Sequence, residues 1–309
     1  MNKEGTDKRK VHLVLGSGGA RGIAHIGVIE ELEQQGYEII EVIGCSMGAV
    51  VGGIYAAGHL PEYKEWLMSL SKKDVFDLLD FTFTKQGFVK GEKLFSKHLE
   101  VTGLQNIEEF NIPFTAVATD MKHNEEVHFT SGELYKALRA SVSIPGVFVP
   151  VVDGNRILVD GGVLNPLPVN LVKKQEDAMV VAVDVNGKII PDVDEVSAST
   201  SDPEDKQEEE DRLKKWFDDL IPDALHEYRE KLENEKNNRP SFSLFELMDS
   251  TFSFTQDRLT DLMIQMYKPD HLITIPRNTC DTFDFHEAEM VIDQGRKFYH
   301  SSMDSKEEA

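Results

Sequence analysis

Val11-His12-Leu13-Val14-Leu15 runs straight into Gly16-Ser17-Gly18-Gly19-Ala20-Arg21-Gly22, and Ile39-Ile40-Glu41-Val42-Ile43 runs straight into Gly44-Cys45-Ser46-Met47-Gly48. Each stretch reads as an apolar strand, a tight glycine turn and the start of a helix. After the first turn, Ile23, Ile26, Ile29 and Leu32 recur at helical spacing. They predict a helix over 22–35 that Gly36 stops. After the second, the pattern predicts a helix over 47–57, ended by Gly58 with Pro61 shortly beyond. Strand, helix, strand, helix is the opening of a mostly parallel sheet covered by helices.

The same alternation continues outward. Residues 60–102 read as helices broken by loops. Strands are expected over 114–119, 126–129, 156–160 and 178–185, with a helix over 132–141. A strand over 271–275 and a helix over 287–299 return near the end, which points to one interrupted domain. The expected organisation is a catalytic core over 11–187, an acidic flexible insertion over 188–211, a helical lid-like segment over 212–268, and a strand and helix over 269–300 that complete the core. In the third of these, Leu213, Trp216, Phe217, Leu220 and Leu225 recur at three- and four-residue steps. That face either packs on the core or meets lipid.

Composition narrows the function. The 309 residues carry 33 basic and 55 acidic side chains, a net charge of −22, which argues against nucleic acid and against unaided docking on anionic membranes. Between positions 192 and 211 stand ten acids and one lysine, the composition of a solvated loop. Two cysteines are too few for a disulfide framework and fit a reducing compartment. The polar start lacks the apolar run of a signal peptide, and the weakly polar run 42–58 is short for a membrane span. A cytoplasmic protein, with peripheral membrane contact left open, is the expectation.

The two turns carry the chemistry. The first can present bare backbone N–H groups at a helix N-terminus, a site for an oxyanion. A dinucleotide site would also use a Gly-x-Gly turn, but needs an acid at the end of the second strand. Here that strand ends in Gly44-Cys45-Ser46-Met47-Gly48. Ser46 between two glycines instead has the pattern of a nucleophile elbow; its bland alternative is a serine capping the following helix. A base is still required. His226, His271, His286 and His300 lie late enough to complete a Ser–acid–His order. Asp160, ending an apolar strand before Gly161-Gly162, is the other candidate, and its bland alternative is a turn aspartate.

Four motifs in order resemble those of the patatin-like phospholipase family, in its bacterial branch related to neuropathy target esterase. Residues 18–28 resemble its oxyanion-hole segment and Gly44-Cys45-Ser46-Met47-Gly48 its elbow. Residues 140–150 resemble its serine- and proline-bearing block, and Asp160-Gly161-Gly162 with Asn165-Pro166-Leu167-Pro168 its acid motif. The likeness covers about 11–187. It implies a three-layer α/β sandwich around a mostly parallel sheet, and a lipid acyl hydrolase acting through a Ser46–Asp160 dyad. It implies oxyanion donors at Gly18, Gly19 and Ala20, with Gly16, Arg21, Gly22, Gly44, Gly48, Gly161 and Gly162 supporting the turns. Arg21 is expected to hold its turn. No cofactor is expected, and no metal, because no His/Cys/carboxylate cluster has ligand spacing in the sequence; the expected partner is a lipid or fatty-acyl ester. Ser17 departs from the family, standing where many members have a fourth glycine. The competing function is a non-catalytic protein on the same fold that binds lipid or a partner.

Overall fold

The computed structural model of the chain describes residues 9–78, 81–84, 87–89, 93, 96–97, 99–100, 103–189 and 244–307. Most of the acidic stretch, and the amphipathic run with Trp216 and Phe217, lie outside the described residues. So does His226. Of the described residues, those within Met1–Pro191 and Gln256–Ala309 form one compact unit, and 244–255 belong to a second.

The opening follows the expected order. Strand β1 (Arg9–Leu15) leads into a 3-10 turn (Gly19–Ile23) and helix α1 (Ala24–Gln34). Strand β2 (Tyr37–Cys45) leads into α2 (Met47–Ala56). Helices α3 (Leu60–Met68) and α4 (Lys72–Leu78) follow. The broken-helix expectation for 60–102 is corrected at β3 (Phe81–Thr84) and β4 (Gly87–Val89), which form an antiparallel pair. Next come β5 (Phe114–Asp120), β6 (Glu125–Phe129), α5 (Leu134–Ser141), β7 (Val151–Asp153), β8 (Arg156–Asp160) and β9 (Ala178–Gly187). Helix α6 (Leu244–Tyr267), β10 (His271–Pro276) and α7 (Ala288–Glu307) close the chain. Strand β7 had no forecast from the sequence; at three residues it is too short for alternation to register.

The main sheet is hydrogen-bonded along the path β10–β9–β1–β2–β5–β8–β7, with β6 also on β5. Strands β10, β9, β1, β2 and β5 are mutually parallel, and β6, β7 and β8 run against their neighbours. Period-two alternation on β1 divides the core. Val11, Leu13 and Leu15 join α1, α2 and α7 residues on one face, while Val14 meets Val180, Ala182, Leu167 and Ile264 of α6 on the other. Helices α1 and α7 touch backbone to backbone: a Cβ on Gly27 would come within 2.1 Å of Ile292 O, and one on Gly295 within 2.1 Å of Ala24 O. The C-terminal helix is therefore part of the core.

One pairing places the site. Residues 116–120 of β5 are taken on one edge by β6. Strands β2, paired to 114–117, and β8, paired to 118–120, therefore share the other edge. They approach from opposite directions. Cys45, the last residue of β2, is level with Val117, and Asp160, the last of β8, is level with Ala118. Two segments more than a hundred residues apart in sequence end face to face at the carboxyl end of the parallel strands, where open α/β sheets carry their sites.

Candidate active site

Ser46 follows β2 directly and is held with φ 54° and ψ −124°, a left-handed conformation that side chains resist. The flanking glycines are required by crowding. A Cβ at Gly44 would lie 2.4 Å from Gly48 O, and one at Gly48 2.2 Å from Leu15 O. The Ser46 side chain makes no capping bond to α2, so the bland reading of this serine fails. The residue is 4% exposed and lies on a cavity wall.

The elbow is braced from outside. Ser46 N–H donates to Ser141 Oγ at 2.9 Å, and the buried Ser141 hydroxyl donates to Val117 O at 2.6 Å. Two residues on, Ser143 O accepts the Asp160 N–H at 2.9 Å. The end of α5 and the residues just after it thus fix the backbones of both Ser46 and Asp160. Arg139 holds this stretch in turn, donating to Ser143 Oγ at 2.6 Å and Val149 O at 2.8 Å. The sequence singled out this block only by resemblance. No local pattern distinguishes Ser141 from a helix-terminal serine, because its partners come from other strands.

Asp160 is 1% exposed. Its two oxygens do different things. Oδ1 accepts the Gly162 N–H at 2.7 Å and has Cys45 Sγ at 4.0 Å, the work of a turn aspartate. Oδ2 is buried without a close hydrogen bond of its own. Burial pushes the carboxyl up to about 7, against the opposing pull of the Ser46 hydroxyl and the Gly162 N–H. The Ser46 hydroxyl favours the ionised carboxylate.

The glycine turn stands across from the elbow. A Cβ on Gly22 would come 2.6 Å from Met47 Cβ, and one on Gly18 2.2 Å from Val185 Cγ2. Gly16 N–H donates to Val183 O and Ser17 N–H to Pro166 O, so β9 and the acid motif anchor its start. Buried His25 reaches Gly16 O through Nε2 at 2.9 Å; burial lowers its pKa to about 4, which keeps the ring neutral. Arg21 spends its guanidinium on Val185 O, Cys280 O and Asn186 Oδ1, which is a holding role. Ser17 costs the turn nothing, since it is not among the residues with positive φ, and Gln256 Nε2 anchors its hydroxyl at 3.2 Å. One expectation is corrected. The Ala20 N–H donates to Thr282 O at 2.9 Å and is not open to a ligand. The Gly18 and Gly19 amides donate to no other group among the described residues.

Ser46 and Gly19 open on one cavity. Its other walls are apolar: Tyr63, Trp66 and Leu67 of α3, Val142 and Phe148 after α5, and Phe283 and Phe285. No histidine among the described residues lines it. His300 is paired with Glu31 at 3.0 Å, and His271 opens the edge strand β10. Metal-ligand spacing, unseen in the sequence, does occur at the β5–β6 turn, where ligand atoms of Asp120, His123 and Glu125 lie within 4.8 Å of one another. There Asp120 already accepts from Lys122 N, Ile157 N and His123. No helix among the described residues is long and apolar enough to cross a membrane.

Comparison with known proteins matches residues 13–173 to the family model described as patatin-like phospholipase. The chain is 34% identical to an uncharacterized NTE family protein of Mycobacterium tuberculosis, over 99% of this chain and 95% of that protein. It is 35% identical to the lysophospholipase NTE1 of Yarrowia lipolytica, over 57% of this chain and 12% of that protein. The corresponding lysophospholipase NTE1 of Cryptococcus neoformans is 33% identical, over 57% and 11%.

Proposed function

The chain belongs to the patatin-like phospholipase family, and on that premise we propose that it hydrolyses fatty-acyl esters of lipids through a Ser46–Asp160 dyad and an acyl-enzyme. The observation that supports this is that β2 and β8 end level on one edge of β5, bringing Ser46 and a buried Asp160 carboxyl with one unpaired oxygen beside an apolar cavity. The fungal relatives named as lysophospholipases support a lipid ester as substrate.

In the cycle, Asp160 takes the Ser46 proton as Oγ forms a bond to the ester carbonyl carbon. The carbonyl electron pair moves to oxygen, and the Gly18 and Gly19 amides hold the oxyanion. Each donor of this kind is worth about 3–4 kcal/mol. Collapse breaks the bond to the alcohol, which leaves with the proton from Asp160. Water then gives a proton to Asp160 and attacks the acyl-Ser46 carbonyl. The fatty acid departs as the Ser46 oxygen regains that proton. A carboxyl near 7 suits both halves, because it can accept and return a proton at neutral pH. The α2 N-terminus behind Ser46 favours the developing negative charge. The apolar walls exclude water and receive the acyl chain.

The test is hydrolysis of lysophospholipid and of p-nitrophenyl butyrate by wild type, Ser46→Ala and Asp160→Asn. Each substitution should lower kcat by about 10³-fold or more. Activity retained in either one contradicts the dyad. A wild type inactive on every ester and unlabelled by a fluorophosphonate favours the binding-protein reading. An essential His226, His271, His286 or His300 would restore the triad.

A further inference from the structure

We propose that Phe283 and Phe285 set the acyl-chain selectivity of this protein, forming a wall of the cavity against which the chain packs; this rests on Ser46 being the nucleophile. The match to the family model covers residues 13–173, and one side of the cavity lies beyond it. That side is supplied by Thr282, Phe283 and Phe285, more than a hundred residues later.

The wall is built in. Phe283 and Phe285 pack in one cluster with Phe148 and Val75, facing the α4 and post-α5 walls. Between them the turn is closed by Asp281 N–H to Asp284 Oδ2 at 2.9 Å and Phe285 N–H to Phe283 O at 2.8 Å. It is pressed onto the glycine turn, where Thr282 O receives the Ala20 N–H and a Cβ on Gly19 would come within 2.7 Å of Thr282 Cγ2. Downstream it is tied to α7, whose Gly295 abuts α1. The distance from the Gly19 amide to the two rings is thereby fixed by the fold. An acyl group whose carbonyl sits at the amide shares its cavity with both rings. Both rings are phenylalanine, offering apolar surface and no hydrogen bond, so the occupant is a hydrocarbon chain.

The experiment compares kcat/KM for p-nitrophenyl acetate, butyrate, octanoate and dodecanoate in wild type, Phe283→Ala and Phe285→Ala, with Phe283→Trp as the opposite change. Opening the wall should move the preference to longer chains, shifting the dodecanoate-to-butyrate ratio by about tenfold, and tryptophan should move it to shorter ones. Should an alanine variant fail to fold, Phe283→Leu and Phe285→Leu carry the same test, with a smaller shift in the same direction. Chain-length profiles of identical shape in all folded variants overturn the proposal. A wild type that cleaves no ester and takes no fluorophosphonate overturns instead the nucleophile reading beneath it.

Discussion

The two glycine turns look alike in sequence and are built on opposite principles. In Gly16–Gly22 a glycine itself takes the left-handed conformation, Gly19 at φ 57°, so the turn is free of side-chain strain and offers backbone amides. In Gly44–Gly48 neither glycine has positive φ, and the left-handed residue is Ser46 at φ 54°. There the glycines only make room, and the strain falls on the residue whose side chain is presented. Which residue carries the positive φ tells which atoms the turn offers: N–H groups in the first, a hydroxyl in the second. A strained serine needs an outside brace, and Ser141 supplies it. The strain-free turn is instead held by groups that leave Gly18 and Gly19 uncovered.

The sharpest way to break the comparison is Gly19→Ala. It puts a Cβ on a left-handed residue and against Thr282, so the turn must move. Loss of about 10²–10³-fold in kcat with little change in KM is expected, read on p-nitrophenyl butyrate with the melting temperature as control. A change confined to KM would mean that the turn binds substrate without holding the oxyanion. Next in size is Ser141→Ala, which leaves the Ser46 N–H unpaired in the interior at a cost of about 1–3 kcal/mol. If the elbow needs its brace, kcat falls by about ten- to a hundredfold, and Ser141→Thr, which restores the hydroxyl, recovers part of it. Equal losses in the alanine and threonine variants would make Ser141 a packing residue only.

The smallest expected effect is on stability, and its sign follows from burial. The Asp160 carboxyl rises from an ordinary value near 3.8 to about 7 on folding. Between those values the folded chain holds a proton that the unfolded chain has lost, so stability falls as pH climbs from about 4 to 7 and stays reduced above. Asp160→Asn removes that cost. Urea denaturation should find the variant more stable at pH 8, on the order of 1–4 kcal/mol, and no more stable near pH 4. A variant less stable at both would mean that the charge is solvated.

Much of this was legible in residues. Strands β1 and β2, with α1 and α2, declare themselves by apolar runs and periodic isoleucines bounded by glycines, signals local enough to survive without a fold. Ser46 and Asp160 were each legible as a turn residue, but their meeting was implied only by the family resemblance. It depends on β2 and β8 sharing one edge of β5, a pairing with no trace in either strand. Ala20 was misjudged for the same reason, since the carbonyl that occupies its amide comes from Thr282. The roles of Ser141, Phe283 and Phe285 likewise exist only through contacts between distant segments. Local patterns reveal which backbone will bend, and only the sheet reveals what the bend will face.

The most direct measurement is the site and rate of fluorophosphonate modification, read by intact mass and peptide mapping. The account predicts a single adduct on the Ser46 peptide of the wild-type chain, forming at least about a hundredfold more slowly in Asp160→Asn. An adduct on another residue, or an Asp160→Asn chain labelled at the wild-type rate, would contradict it.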